Sequence, residues 1–148
     1  MDSEFKEAKQ SPGFLLWQVT NLWQREIRRA LDPLELTHPQ FVLLFSTKWL
    51  NERGGDGGVT QVQLAQHAKM DVNVTSQVLR TLEKKGYIKR SPHPRDTRAN
   101  VITTTPAGSE LASRAVQAVE AADRSFFSGI GEGKREFMGV LLQLSQRP

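Results

Sequence analysis

A mostly helical fold with a small β-hairpin wing is what this 148-residue sequence predicts. Two observations carry that reading. From Thr60 to Thr104 the chain reads as a short helix, a turn, a second helix and a basic hairpin running from Tyr87. That order is a winged helix-turn-helix, which lays one helix in the DNA major groove while a loop reaches the backbone or minor groove beside it. Charge follows the same boundary. Between Val59 and Thr105 eight Lys/Arg face three Asp/Glu, a balance of +5, whereas the remaining twelve against thirteen give −1. The whole net charge of +4 therefore sits on the segment that would touch phosphate.

Each element has its own local signal. Ser11-Pro12 pairs a capping hydroxyl with proline at the first helical position. Leu16, Val19, Trp23, Ile27, Ala30 and Leu31 then recur at helical spacing, so an amphipathic helix is expected to about Asp32, where Pro33 ends it. A second helix opens near Thr37-His-Pro-Gln and carries Phe41, Val42, Leu44, Phe45, Trp49 and Leu50 on more than one face, which predicts a central, buried position. Gly54–Gly58 breaks the pattern. It lacks the Gly-Lys-Ser/Thr ending of a phosphate-binding loop and no apolar strand leads into it, so a connector is expected.

Thr60-Gln-Val-Gln63 has the form of a capping box and opens a short helix through about Ala68. Met70-Asp71 turns the chain, Asp71 caps the next helix, and Gly86 suits the left-handed position after it. Beyond the hairpin, Thr105-Pro106 starts a long helix striped by Leu111, Ala115, Ala118 or Val119, Ala122 and Phe126. Gly129–Gly133 is a connector, and a last helix carries Phe137, Val140, Leu141 and Leu144.

Composition excludes several classes. There is no cysteine, hence no disulfide scaffold, thiolate zinc site or thiol redox sensor within the chain. No run approaches the roughly 20 apolar residues that span a bilayer, and Met1–Glu7 is charged and mixed, unlike a secretion signal. The cytoplasm is the expected compartment. His38, His67 and His93 stand apart with no metal-ligand spacing, and no nucleophile elbow is present, so neither a metal, a cofactor nor a catalytic site is expected.

On the second motif helix Asn73, Ser76, Gln77, Arg80 and Lys84 lie three and four apart on one face, with Val74, Val78, Leu79 and Leu82 opposite and directed inward. Short hydrogen-bonding groups lead and cations follow. Gln pairs with adenine, Ser or Asn with base edges or phosphate, and Arg80 with guanine or phosphate. Thr75, within the same run, joins the expected contacts. A solvated helix face is the bland reading of this pattern, and position behind a capped turn and before a basic wing is what favours DNA. Lys69, Lys84, Lys85, Lys89 and Arg90 are assigned to phosphate, which positions without reading sequence.

These residues resemble the MarR family of winged-helix transcriptional regulators. Leu64-Ala65, the run Val74–Ile88 and Arg95-Asp96-Thr97-Arg98-Ala99 with Thr103-Thr104 carry the match. The usual Leu-Thr ending is replaced by Thr-Thr. The resemblance covers about residues 36 to 110 and thins at both ends, where only the pattern of helices agrees. It implies a homodimer whose dimerisation region is built from the N- and C-terminal helices (residues 11–35 and 106–148) around a DNA-binding lobe (residues 36–105).

A pseudo-palindromic site with half-sites about one helical turn apart follows. In the wing it implies that Arg98 enters the minor groove, that Asp96 bridges to a wing arginine, and that Arg95 is an alternative occupant or a phosphate contact. It also implies a small aromatic or amphipathic effector, for which Trp17, His38, Phe41 and Trp49 are candidates beside their ordinary core role. The function so predicted is a ligand-responsive repressor. The alternative is a winged-helix protein-interaction module that does not bind DNA.

Overall fold

The computed structural model describes residues 2–54, 57–96 and 98–148. Gly55 and Asp56 of the expected connector and Thr97 of the wing lie outside the described residues. The main helices and strands are α1 (Pro12–Leu31), α2 (His38–Arg53), β1 (Val59–Thr60), α3 (Gln61–Ala68), α4 (Val72–Lys84), β2 (Ile88–Pro92), β3 (Asn100–Thr104), α5 (Pro106–Phe127) and α6 (Lys134–Ser145), with 3-10 turns at Ala8–Gln10, Asp32–Leu34 and Ser128–Gly133.

Local chemistry explains where the helices start. Ser11 Oγ accepts from Phe14 N at 3.1 Å. Thr37 and Gln40 form a reciprocal capping box at 3.1 and 3.2 Å, as do Thr60 and Gln63 at 2.9 and 3.2 Å. Asp71 Oδ1 accepts from Asn73 N at 2.8 Å and Val74 N at 3.1 Å, and Thr105 Oγ1 accepts from Gly108 N at 3.1 Å. Each such cap satisfies an otherwise orphaned amide and contributes about 1 kcal/mol. Gly86, at φ +83°, takes the left-handed position that the sequence reserves for it after α4.

The centre of the lobe is α2, which packs on α1, α3, α4, α5 and β3. Its Leu43 and Leu44 join Ile27 and Leu31 of α1, Leu64 of α3, Leu79 and Leu82 of α4, Ile88 of β2 and Ile102 of β3 in a fully buried core. The sheet is antiparallel in the order β1-β3-β2, with Ile88 opposite Thr104 and Pro92 opposite Asn100 across the hairpin. Strand β1 is an addition to the predicted hairpin. Val59 and Thr60 pair with Ile102 and Val101, and a two-residue strand carries no periodicity to read.

The helices outside the lobe tell a different story. Trp23 Nε1 donates to Asp123 Oδ1 at 2.8 Å, tying α1 to α5. Beyond that link Leu16, Trp17 and Val19 of α1 are exposed, and α6 buries no residue at all. It meets α5 where Phe137 and Phe127 stand 5.7 Å apart, while Val140, Leu141, Leu142 and Leu144 face outward. The apolar stripes predicted at both ends are therefore only partly used by this chain's own core.

Candidate nucleic-acid interface

The α4 helix buries Thr75, Leu79 and Leu82 and exposes Asn73, Gln77, Arg80 and Lys84, with Ser76 half-buried beside them. Ser76 Oγ accepts from Arg80 Nη2 at 2.9 Å, so the serine holds the guanidinium on the exposed face. Two expectations need correction. Thr75 is fully buried and its hydroxyl donates to Asp71 O at 2.8 Å, a back-bond that leaves it unable to reach a ligand outside. Val74, expected inward, is exposed instead, because Thr75 occupies the inward position one step round the helix and Val78 is only half-buried.

In the wing, Asp96 Oδ1 accepts from Arg98 N at 3.1 Å and from Arg98 Nε at 3.3 Å. The aspartate thus grips both backbone and side chain of the arginine, the bridge that the family resemblance implied. Arg98 nonetheless keeps 92% of its side chain in solvent. Arg95 is also exposed at the tip. Held at one end and open at the other, Arg98 is a preorganised cation with no apolar cover.

Among the cations assigned to phosphate, Lys69, Lys84 and Lys89 are exposed. Arg90 is not free for that role: Nε pairs with Glu83 at 3.3 Å and Nη1 donates to Gln61 Oε1 at 3.3 Å, stitching β2 to α4 and α3. Lys85 Nζ donates to Glu35 O at 3.2 Å, across to the turn before α2. Both are structural ties that sequence spacing cannot show, because their partners are brought in by tertiary packing. Sequence reasoning also passed over His93. Its Nδ1 accepts from Arg95 N at 3.0 Å and Asp96 N at 3.1 Å, closing the wing turn. The Asx-like offset to the second and third residues on was the available signal.

The four effector candidates do not form one pocket. Trp17 is 65% exposed, and Phe41 is core, with its ring 6.0 Å from that of Phe45. Trp49 lies on α2 about 16 Å along the axis from His38, sandwiched between the His67 ring at 5.7 Å and the Arg53 guanidinium at 3.8 Å. A helix carrying residues on several faces aims them at different neighbours, and shared membership of α2 does not gather them. Of the four, His38 lines a cavity of about 310 Å³, together with Gln24, Arg28, Asp32 and Thr37. Its ring makes an edge contact with Trp23 at 5.1 Å. Burial holds the His38 imidazole below its ordinary titration range, Asp123 opposing that shift and Arg28 adding to it.

Among the described residues no group of three or more His, Asp or Glu is arranged to hold a metal ion, and no helix is long and apolar enough to cross a membrane.

Comparison with known proteins draws these features together. The model of the MarR family matches residues 36–99, the stretch from the cap of α2 to the wing. Over 142 residues, 96% of this chain and 95% of the relative, the sequence is 42% identical to the uncharacterized HTH-type transcriptional regulator YdcH of Bacillus subtilis. It is 34% identical over 133 residues, 89% of this chain and 91% of the relative, to the HTH-type transcriptional repressor Rv2887 of Mycobacterium tuberculosis. The latter has been solved in complex with salicylic acid and superposes with a TM-score of 0.67 at 32% identity, covering 90% of this chain and 96% of that one. CouR from Rhodococcus jostii RHA1, bound to p-coumaroyl-CoA, superposes with a TM-score of 0.81 at 26% identity over 97% of this chain and 98% of that one.

Proposed function

The chain belongs to the MarR family of winged-helix transcriptional regulators, and from that premise we propose that it is a homodimeric, ligand-responsive repressor acting in the cytoplasm on a pseudo-palindromic operator. The observation that carries this reading is the pair of solvent-facing probes on one lobe. Asn73, Ser76, Gln77, Arg80 and Lys84 line the outward face of α4, and Asp96 holds Arg98 clear of the wing. The helix reads base edges in the major groove, where exposed Val74 adds an apolar group suited to a thymine methyl. Arg98 enters the adjacent minor groove, whose narrow A·T-rich form concentrates negative potential, with Arg95 beside it on minor groove or phosphate. Lys69, Lys84 and Lys89 meet phosphate and set register.

Pairing supports the rest of the proposal. The exposed apolar faces of α1 and α6 suit burial against the same helices of a second copy, so residues 11–35 and 106–148 form the dimerisation region and residues 36–105 the DNA-binding lobe. Repression is supported by the 34% identical relative, which is a transcriptional repressor. For the effector, two neighbours are described as bound to salicylic acid and to p-coumaroyl-CoA, both of which carry an aromatic ring. In this chain the cavity at Arg28 and His38 offers a cation for a small aromatic acid, at the junction of dimer helix and lobe. A ligand that prefers one spacing of the two lobes weakens operator binding by its differential affinity for that spacing.

Selection of bound duplexes from a random pool tests the proposal. An enriched inverted repeat is the expected product. Arg98→Ala should then lose about tenfold or more in affinity for that duplex, on the scale of about 1–3 kcal/mol for a good groove contact, while its far-UV circular dichroism stays that of the wild type. No enrichment, with Arg98→Ala indistinguishable from wild type, would instead favour a protein-interaction module.

A further inference from the structure

We propose that His93 is the positioning residue of the wing: its Nδ1 shapes the turn that presents Arg98. The inference rests on the DNA-binding reading above and adds a group that no contact with DNA is needed to explain.

The geometry is a relay. His93 Nδ1 accepts from the backbone N–H of Arg95 at 3.0 Å and of Asp96 at 3.1 Å. The carboxylate of Asp96, placed by that turn, then accepts from Arg98 N at 3.1 Å and Arg98 Nε at 3.3 Å. His93 N donates to Ala99 O at 3.0 Å and Ala99 N to Asp96 O at 3.1 Å, closing the loop behind the relay. Two converging amides can only be donors, so Nδ1 is the nitrogen without a proton.

The same chain shows what this arrangement does elsewhere. Asp71 Oδ1 accepts from the amides two and three residues on, at 2.8 and 3.1 Å, and sets the start of α4. His93 reproduces that offset with a different acceptor. Without that acceptor two backbone amides lose their partner, and the turn that places Asp96 is no longer fixed.

The test uses the full-length protein and its selected duplex at constant ionic strength, with amide hydrogen exchange at Arg95 and Asp96 in the free protein.

His93→Ala should bind about tenfold more weakly and exchange faster at both amides. His93→Asn, whose Oδ1 can take the two donors, should recover most of the affinity. Protection of the Arg95 and Asp96 amides restored in His93→Asn completes the expected pattern. If Arg98→Ala loses affinity while His93→Ala binds and exchanges like wild type, the relay is wrong and the DNA reading stands. If both variants bind like wild type, the DNA reading itself fails; exchange at the two amides still reports on the turn, and unchanged protection in His93→Ala overturns the relay independently.

Discussion

Gly108 occupies a position where a side chain has no room. A Cβ there would lie 1.9 Å from Tyr87 O, at the junction where α5 leaves the wing and Thr105 Oγ1 donates to Gly86 O at 2.6 Å. Gly108→Ala should therefore cost about 3 kcal/mol through forced backbone movement, read as a lowered urea midpoint. His38 makes a prediction of the opposite origin, electrostatic and not steric. Burial lowers its folded-state titration below the ordinary value near 6.5, so as pH falls past that value the unfolded chain takes up a proton first. Stability is unaffected above it and declines below it. Thermal midpoints measured from pH 8 to 5 should fall more for the wild type than for His38→Gln, and parallel curves would refute the assignment. Neither residue announced this in the sequence. Gly108 reads as an ordinary glycine in a helix, and His38 as one of three scattered histidines, because the clash and the burial both come from elements distant along the chain.

Among the elements, the wing depends on α2 as much as on its own hairpin. Asn51 donates from Nδ2 to Ile102 O at 3.1 Å and accepts at Oδ1 from Thr104 N at 3.1 Å. Its side-chain amide continues the edge of β3 where the two-residue β1 stops, doing for that edge what a further strand residue would. Asn51→Leu removes both partners and leaves a backbone donor and acceptor unpaired, at a cost of about 2 kcal/mol. Amide exchange at Thr104 should accelerate in that variant, and retained protection would show that the clip carries no weight. The starts of α1 to α5 were legible, since Ser11, Thr37, Thr60, Asp71 and Thr105 each cap through a bond spanning two or three residues. The β1 strand and the Asn51 clip were not, since their partners lie about 40 to 50 residues away. The α4 face was read correctly except at its edge, where Val74 and Thr75 exchange the roles that apolar and polar character alone would assign.

For the molecule as a whole, the apolar surface left exposed on α1 and α6 is what the proposed dimer would bury. Leu16 is 58% exposed on α1 and Leu142 60% exposed on α6. Leu16→Glu or Leu142→Glu should shift the protein from dimer toward monomer in sedimentation velocity and reduce operator affinity in step. A wild-type monomer at micromolar concentration would sink the paired-lobe arrangement. The sequence by itself determined the helix order, the capped starts and the basic hairpin, because capping, periodicity and turn chemistry act over a few residues, while the Asp96–Arg98 bridge came from the family resemblance. Only the tertiary structure decided that Thr75 is buried, that Arg90 is an internal tie, and that Trp17, His38, Phe41 and Trp49 face different neighbours. Those outcomes depend on which distant surfaces meet once the core closes, and no local pattern encodes that meeting.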